Sequence, residues 1–269
     1  MLEKEELKEI AKLKGLTLYQ QEKHYVQSSI LSILSDYPLV FKGGTYLWFF
    51  HGLNRFSTDL DFTLEIDRST PKTYLDVDIF SKHITDKVCQ SLWLFQGIKA
   101  TGKIQNTTTN SFSFKIAAEG PLHTTPNSLC YVDVDISLRE KIINVPKPYN
   151  LNFPEYNFPI KIIKGMDVEE VFAEKIRAII TRKPVTKSER DIYDLWFLMS
   201  KYNLKINKET LKLINKKLSF YKMKFDKNVF DKKLIEKKSS FKDLSNLIFG
   251  ELKDFNYYYK YILNNIYEK

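Results

Sequence analysis

Residues 42–62, KGGTYLWFFHGLNRFSTDLDF, contain the turn and the strand that decide the fold of this chain. A Gly-Gly-Thr turn is followed by an apolar helical run and then by an apolar, strand-like segment that carries Asp59 and Asp61. Side chains at positions i and i+2 of a strand point to the same face, roughly 6.5–7 Å apart. The two carboxylates can therefore reach one divalent cation together.

The Gly-Gly-Thr turn has the composition of a phosphate-binding site. Gly43 and Gly44 permit a backbone with positive φ, and Thr45 offers a hydroxyl group and a backbone N–H at a helix start, where anions are stabilised. Mg²⁺ (or Mn²⁺) would relieve the repulsion between Asp59 and Asp61 and keep positions for substrate phosphates. We therefore predict metal-dependent chemistry on a nucleotide. The alternative is a glycine turn that caps a helix, followed by two surface aspartates.

The same residues carry a resemblance to a known family. Lys42 to Thr45, followed by Arg55-x-Ser57-x-Asp59-Leu60-Asp61-Phe62, is similar to the first motif of the AbiEii/AbiGii toxin family of nucleotidyltransferases, which includes the MenT toxins. The similarity continues in five short blocks: FKI at 114–116, GPL at 120–122, DIS at 135–137, AEKIRA at 173–178 and RDIYDL at 190–195. Beyond about residue 200 the chain shows no matching motif.

The resemblance implies an α+β nucleotidyltransferase fold, in which a mixed β-sheet flanked by helices is followed by a helical C-terminal half. It implies transfer of a nucleoside monophosphate from an NTP to an acceptor hydroxyl, most simply the 3′ end of tRNA. It also implies a toxin of a type IV toxin–antitoxin or abortive-infection system, with a cognate, AbiEi-like antitoxin as partner. Within the first motif, Arg55 and Ser57 become candidate nucleotide-binding residues.

A third carboxylate is available on another predicted strand. Asp133 and Asp135 alternate with apolar residues in segment 129–137 and share one face, so either could join Asp59 and Asp61 if the two strands are neighbours. Both could instead be edge-strand charges that discourage aggregation. The resemblance favours Asp135 as the third metal ligand.

Lys175 interrupts an apolar helical stripe that includes Val171 and Ile179. Burying an ammonium group is costly unless it is paired or binds an anion, so Lys175 is either an ion-paired core residue or a phosphate contact. Arg182 follows on the same side of the predicted helix. By motif position, the resemblance makes Lys175 the family's essential lysine, which with Arg182 would neutralise charge that develops on the phosphates.

Asp191 and Asp194 lie along one side of the next predicted helix. The resemblance makes Asp191 the family's essential aspartate and adds Asp194 to the candidate nucleotide-binding residues. Asp191 could instead interact with the dipole of the first helical turn. Asp194 could instead form a structural ion pair with Arg190 or Lys175.

Composition and charge describe an ordinary globular protein with a basic C-terminal part. The chain has 269 residues, of which 43% are hydrophobic, and no apolar run approaches the ~18 residues of a membrane helix. Residues 1–15 alternate charges instead of presenting a signal-peptide core, so we expect a cytoplasmic protein. Residues 201–269 contain 17 lysines and 8 acidic residues, a net charge of +9 that equals the charge of the whole chain.

The basic C-terminal part has two interpretations. Its lysines alternate with aromatic residues and could bind an RNA backbone through charge and stacking, with Lys232, Lys233, Lys237 and Lys238 as the candidate contacts. Alternatively, the lysines form a solvated helical surface over an aromatic core.

The predicted architecture has two domains: a nucleotidyltransferase core with N-terminal helices at 1–160, and a helical domain at 161–269. We predict strands at 39–41, 59–65, 97–105, 111–118 and 129–137, and a proline-rich connector at 145–159. Two other functions stay open, a nucleotidyltransferase that modifies a protein or small molecule and a nucleotide-binding regulator without turnover. The identities of the NTP and the tRNA, the existence of an antitoxin and the oligomeric state do not follow from the sequence.

Overall fold

The structure is a computed structural model that describes residues 1–67, 70–138, 141–182 and 189–268. The chain divides into two compact units, which are described separately. Unit 1 comprises 1–46, 58–142 and 146–165, and unit 2 comprises 47–57, 143–145 and 166–269. The predicted domain boundary at residue 160 thus lies close to residue 165, whereas segment 47–57 groups with the C-terminal residues.

Unit 1 is built on a mixed sheet of seven strands. They are β1 (Leu39–Lys42), β2 (Asp59–Leu64), β3 (Ala100–Thr108), β4 (Ser111–Ala118), β5 (Cys130–Ser137), β6 (Lys147–Leu151) and β7 (Lys161–Gly165). Their order across the sheet is β3-β4-β5-β2-β1-β7-β6. The β1–β7 and β2–β5 pairs are parallel, and the other pairs are antiparallel.

Five helices belong wholly or partly to this unit: α1 (Lys4–Lys14), α2 (Leu18–Leu34), α3 (Gly43–His51), α4 (Lys72–Leu75) and α5 (Val77–Gln96). Local sequence signals explain the start of α2 and both ends of α5. Thr17 and Gln20 form a reciprocal capping box at the start of α2. Asp76 caps α5, which ends at Gly97 with a φ of 64°.

The apolar face of the sheet is defined by the alternating pattern of β4. Phe112, Phe114 and Ile116 are buried, and the ring of Phe112 lies 5.5 Å from the ring of Phe80 in α5. The intervening residues of β4 point to the opposite face. The polar side chains of β4 therefore lie on the face away from α5.

Two expectations about the strands were wrong. The proline-rich segment 145–159 is not only a connector, because it contains β6 and a 3₁₀ turn at Pro154–Tyr156. Pro148 fits because β6 is an edge strand, where a missing N–H is tolerated. Strand β3 also begins and ends three residues later than predicted, at Ala100 and Thr108.

Unit 2 is mainly helical. Its helices are α6 (Val168–Thr181), α7 (Glu189–Tyr202), α8 (Lys208–Ser219), α9 (Lys227–Ile235) and α10 (Phe255–Asn265), with a 3₁₀ helix at Phe241–Asn246. Segment 47–57 joins this unit through a backbone bridge between Arg55 and Ile248. The predicted combination of a helix-flanked mixed sheet and a helical C-terminal half is confirmed. Of the helices described, none has both the length and the apolar character needed to span a membrane.

Helix α2 contains a buried histidine that bonds to a tyrosine. His24 is 8% exposed, and its Nδ1 lies 2.6 Å from the hydroxyl oxygen of Tyr156. Burial lowers the pKa of His24 to about 3. The folded chain therefore keeps this imidazole neutral at pH values where an unfolded chain would protonate it.

We predict that the free energy of unfolding of unit 1 decreases as the pH falls from about 6.5 towards about 3, because the unfolded chain binds a proton at His24 that the folded chain excludes. This residue should contribute a loss of about 1.4 kcal/mol per pH unit in that window. His24→Gln keeps a polar partner for Tyr156 and removes the titration. Urea denaturation of both proteins between about pH 7 and pH 4 checks this, and equal pH slopes would contradict it.

Candidate active site

The register of the sheet places aspartates of two neighbouring strands side by side. In the parallel β2–β5 pair, Asp59 is opposite Asp133 and Asp61 is opposite Asp135. The residues between them in each strand are buried and point to the other face. Neighbouring strands lie about 4.8 Å apart, so four carboxylates share one small patch of the polar face.

An ion pair distinguishes the two aspartates of β5. Lys115 is opposite Asp133 in the β4–β5 register, and its Nζ lies 3.4 Å from Asp133 Oδ1. A lysine charge beside Asp133 makes that carboxylate a poorer ligand for a cation. The choice of Asp135 as third metal ligand stays a prediction, which this ion pair supports.

The carboxylate patch has the oxygen donors that a divalent cation needs. Asp59, Asp61 and Asp135 come from two adjacent strands, and carboxylate oxygens are the preferred ligands of Mg²⁺. Within the described residues, no three His, Cys, Asp or Glu side chains converge closely enough to hold a metal ion as they stand. The donor set fits the predicted metal in its chemistry, and a bound cation would have to draw these oxygens closer together.

Gly43 brings the predicted phosphate-binding turn against the carboxylate patch. Lys42 is opposite Asp61 in the β1–β2 register, and Gly43, with a φ of 80°, follows directly. A Cβ atom at Gly43 would lie only 2.1 Å from Asp61 Oδ2. Glycine is thus required here both for its backbone conformation and for the close approach of Asp61.

Helix α3 begins at Gly43, so the Gly-Gly-Thr sequence forms its first turn. The N–H groups of a first turn have no partner within the helix and suit an anion. The Thr45 hydroxyl donates a 2.5 Å hydrogen bond to the carbonyl oxygen of Asp59. That bond fixes the start of β2, so the group of Thr45 that suits a phosphate is its backbone N–H.

A pocket of about 220 Å³ opens beside Asp61 and Asp135. Its polar wall includes Asn106, Ser111, Ser113 and Ser137, which the sequence did not suggest as site residues. Serines in strands are common, so residue type alone carries little signal. The alternating pattern of 111–118 could have placed Ser111 and Ser113 on the polar face, but their distance from the carboxylates depends on strand register.

In unit 2, five of the predicted site residues form one chain of ion pairs. Arg55 donates to Asp194 through Nε, at 2.6 Å, and through Nη2, at 2.8 Å. Lys175 Nζ lies 2.6 Å from Asp194 Oδ2 and 3.1 Å from Asp191 Oδ1. Arg182 Nη1 lies 2.7 Å from Asp191 Oδ2. Three cationic side chains thus alternate with two carboxylates in this series of ion pairs.

Mutual attraction keeps this network charged although it is buried. Burial alone would raise the pKa of Asp194, but the charges of Arg55 and Lys175 outweigh burial and hold that pKa well below its usual range. Burial would likewise lower the pKa of Lys175, and Asp194 and Asp191 together raise it. Lys175 and Asp194 therefore form an ion pair, which was one of the two interpretations of each residue from the sequence.

The functional roles of these residues stay predictions. Lys175 and Asp191 are predicted to be essential for transfer, and Arg182 and Asp194 to contact the nucleotide. Ser57, in the segment that supplies Arg55, is 6% exposed. An ion-paired residue can still act on a substrate, so the contacts alone do not assign or remove a role.

Comparison with known proteins identifies the family. The chain matches the family described as nucleotidyl transferase AbiEii toxin, Type IV TA system, over residues 30–260. It belongs to this family. No curated protein is significantly similar to the chain.

Several solved structures share the fold of this AbiEii-family chain, among them the following two. MenT4, a nucleotidyltransferase toxin from Mycobacterium tuberculosis H37Rv, has a TM-score of 0.64 at 17% identity, over 99% of this chain and 89% of that one. A Helicobacter pylori protein described as a nucleotidyltransferase has a TM-score of 0.57 at 18% identity, over 92% of both chains. At such identities the likeness shows the fold alone.

Family membership confirms the resemblance that the motifs indicated. The chain is a nucleotidyltransferase enzyme, and its membership of a toxin–antitoxin family implies an NTP as substrate and an antitoxin as partner. The match reaches residue 260, so the family's sequence pattern covers most of the basic C-terminal part, where single motifs were not visible.

We predict that Gly43→Ala loses nucleotidyl transfer by roughly 10²-fold or more, because the new methyl group displaces the Asp61 carboxylate. Gly15→Ala is the matched control, since Gly15 has a similar φ of 65° and has nothing within 4 Å of an added Cβ. Both variants should lose about 1 kcal/mol of stability from backbone strain. Equal activities of the two variants in a labelled-NTP assay would show that the contact with Asp61 is unimportant.

We also predict that Lys175→Met retains the fold of unit 2, with a loss of about 1.5 kcal/mol or less, because each aspartate keeps an arginine partner. Arg55→Met should lose about 3–5 kcal/mol, because it removes two buried hydrogen bonds to Asp194. Thermal and urea unfolding of both variants measure the difference. Lys175→Met would be as unstable as Arg55→Met if the lysine were the main support of the network.

Proposed function

We propose that this chain transfers a nucleoside monophosphate from an NTP to a hydroxyl group at the 3′ end of tRNA, in a Mg²⁺- or Mn²⁺-dependent reaction. The observation that carries this proposal is the register that sets Asp59, Asp61 and Asp135 together, with the Gly43 turn in contact with Asp61. Transfer to tRNA would arrest translation, and a cognate, AbiEi-like antitoxin would oppose it. The biological role is thus that of a toxin in a type IV toxin–antitoxin or abortive-infection system.

The reaction is a displacement at the α-phosphorus of the NTP. The acceptor oxygen forms a bond to this phosphorus, the bond from the phosphorus to the oxygen shared with the β-phosphate breaks, and pyrophosphate leaves. A carboxylate of the patch takes the proton of the acceptor hydroxyl and passes it to water. The first-turn N–H groups at Gly43, Gly44 and Thr45 hold the β- and γ-phosphates.

Asp59, Asp61 and Asp135 would hold the divalent cations. When bound, such cations supply Lewis acidity at the reacting phosphate and lower the pKa of the attacking hydroxyl. The aspartates also fix the position of the acceptor oxygen relative to the turn at Gly43. Roles for Lys175, Asp191, Arg55, Ser57, Arg182 and Asp194 are proposed from the family motifs.

The charge of unit 2 supports RNA as the acceptor. Lys208, Lys212 and Lys216 follow one another at i, i+4 and i+8 along α8, and all three are exposed. Such a stripe can contact successive phosphates of a nucleic acid backbone. A protein or small-molecule acceptor, or a regulator without turnover, does not require such a stripe.

The structure changes which lysines are suitable for a test. Lys237 is 1% exposed, and burial lowers its pKa, so a charge reversal there would disturb the fold. Lys233 Nζ lies 2.8 Å from Glu236 Oε2. Lys232 and Lys238, the other two lysines predicted as RNA contacts, are exposed. The stripe of α8 is therefore the better target.

We predict that Asp59→Asn and Asp61→Asn abolish transfer and leave the fold intact, since each removes a cation ligand and also reduces repulsion in the patch. Asp133→Asn is the control, because its carboxylate already pairs with Lys115 and should be dispensable. Each variant is incubated with each α-labelled NTP, Mg²⁺ and total RNA, and labelled products are separated. Activity within tenfold of the parent in either first variant would rule out the proposed metal site.

We predict that reversing Lys208, Lys212 and Lys216 to Glu weakens RNA binding and lowers the slope of log affinity against log salt by about 0.7–0.9 for each lost phosphate contact. The KM for NTP should barely change. Reversing Lys4, Lys8 and Lys12 is the matched control, because these lysines form an equally spaced, exposed stripe on α1. If both triple variants bind RNA alike across a salt titration, the α8 stripe is only a solvated surface.

A further inference from the structure

A β-bulge lies in the hairpin of β3 and β4. Ile104 and Asn106 pair with consecutive residues of β4, so Gln105 is an extra residue in β3. A bulge of this kind reverses the alternation of side chains beyond it. Asn106 is therefore opposite Ser113 and lies on the polar face, where an unbroken alternation from Lys103 would have placed Gln105.

This bulge completes a line of directly paired residues across five strands. The line runs through Asn106, Ser113, Asp135, Asp61 and Lys42, in β3, β4, β5, β2 and β1. The Gly43 turn follows the last of them. The two carboxylates of the line thus lie between a hydroxyl–amide pair on one side and the phosphate-binding turn on the other.

The hydroxyl–amide pair forms one wall of the pocket beside Asp61 and Asp135. Asn106 Nδ2 donates a 3.4 Å hydrogen bond to Ser113 Oγ. Among the described residues, Ser113 Oγ accepts this bond and donates none, so its proton is available to a ligand. The polar wall consists mainly of neutral donors and acceptors, a set that matches the hydroxyl groups of a sugar.

The volume of the pocket limits what can occupy it. About 220 Å³ is less than the roughly 300–1,000 Å³ of pockets that enclose a whole small molecule. One sugar at the end of a larger molecule fits this limit. The pocket also opens directly onto two of the carboxylates, so that sugar would be at the reacting position.

The direction of the reaction decides which sugar this is. In an in-line displacement, the attacking and leaving oxygens lie on opposite sides of the phosphorus. If pyrophosphate leaves at the Gly43 turn, the attacking hydroxyl enters from the side of Ser113. The pocket lies on that side of the carboxylates.

We propose that this pocket receives the terminal ribose of the RNA acceptor, and that Asn106 and Ser113 hydrogen-bond to the 2′-hydroxyl of its cis-diol. The proposal rests on the proposed function and adds how the acceptor end is recognised. The 3′-hydroxyl then points at the α-phosphorus, and the 2′-hydroxyl contacts the hydroxyl–amide pair. A terminal deoxyribose keeps the attacking group and loses the second contact.

The test compares two hairpin RNAs that share a short single-stranded 3′ end and differ only in whether the last sugar is ribose or 2′-deoxyribose. The parent should prefer the ribose end by roughly tenfold or more in acceptor kcat/KM, because a site built to bond a hydroxyl group discriminates against its loss. Asn106→Leu and Ser113→Ala should each reduce this preference towards one. The KM for NTP should stay within about twofold. Thr107→Val is the control, because Thr107 is on the opposite face of the same strand.

Binding without turnover separates this proposal from the proposed function. The dissociation constants of both fluorescein-labelled hairpins are measured with no NTP present. A ribose preference in the parent that is lost in Asn106→Leu supports the pocket, even if no transfer to RNA is found. Transfer with an unchanged preference in both pocket variants overturns it. The proposal is also overturned if the pocket variants have a higher KM for NTP and no longer discriminate between NTP and dNTP. The pocket would then bind the sugar of the nucleotide.

Discussion

Parallel pairing of β2 with β5 is the constraint on which the candidate site depends. It forces four aspartates into one patch, and their repulsion would separate the strands if nothing opposed it. The opposing term lies on the other face, where Leu60, Phe62, Val134 and Ile136 are almost completely buried. Hydrophobic burial in the same two strands therefore offsets the electrostatic repulsion within the patch.

Charge is handled differently in the two units. In unit 2 each buried carboxylate of the network has at least two cationic neighbours, and the network has one more positive than negative group. In unit 1, four aspartates lie together on two neighbouring strands. A satisfied network favours one fixed arrangement of its side chains, whereas an acidic patch favours the arrival of a cation.

Much of the site could be predicted from sequence because its geometry is local. The i, i+2 spacing of Asp59 and Asp61 fixes a shared face, and Gly43 marks a turn that needs positive φ. The other parts depend on pairing between distant segments. Arg55 meets Asp194 across 139 positions, and no pattern near either residue indicates this pair. Asn106 lies just beyond the predicted strand 97–105, and the bulge at Gln105 also breaks the alternation on which face assignment depends.

The bulge makes the length of the β3–β4 hairpin as important as its residues. Deleting Gln105 would remove the bulge and make the pairing of β3 with β4 continuous, and Lys103 and Asn106 would both keep their present face. Most substitutions in the hairpin change one contact, whereas an inserted residue that no bulge accommodates moves every side chain on one side of it to the other face of the strand. Among related chains, this hairpin should therefore tolerate changes of residue at its exposed positions and the loss of the bulge residue, and resist added residues.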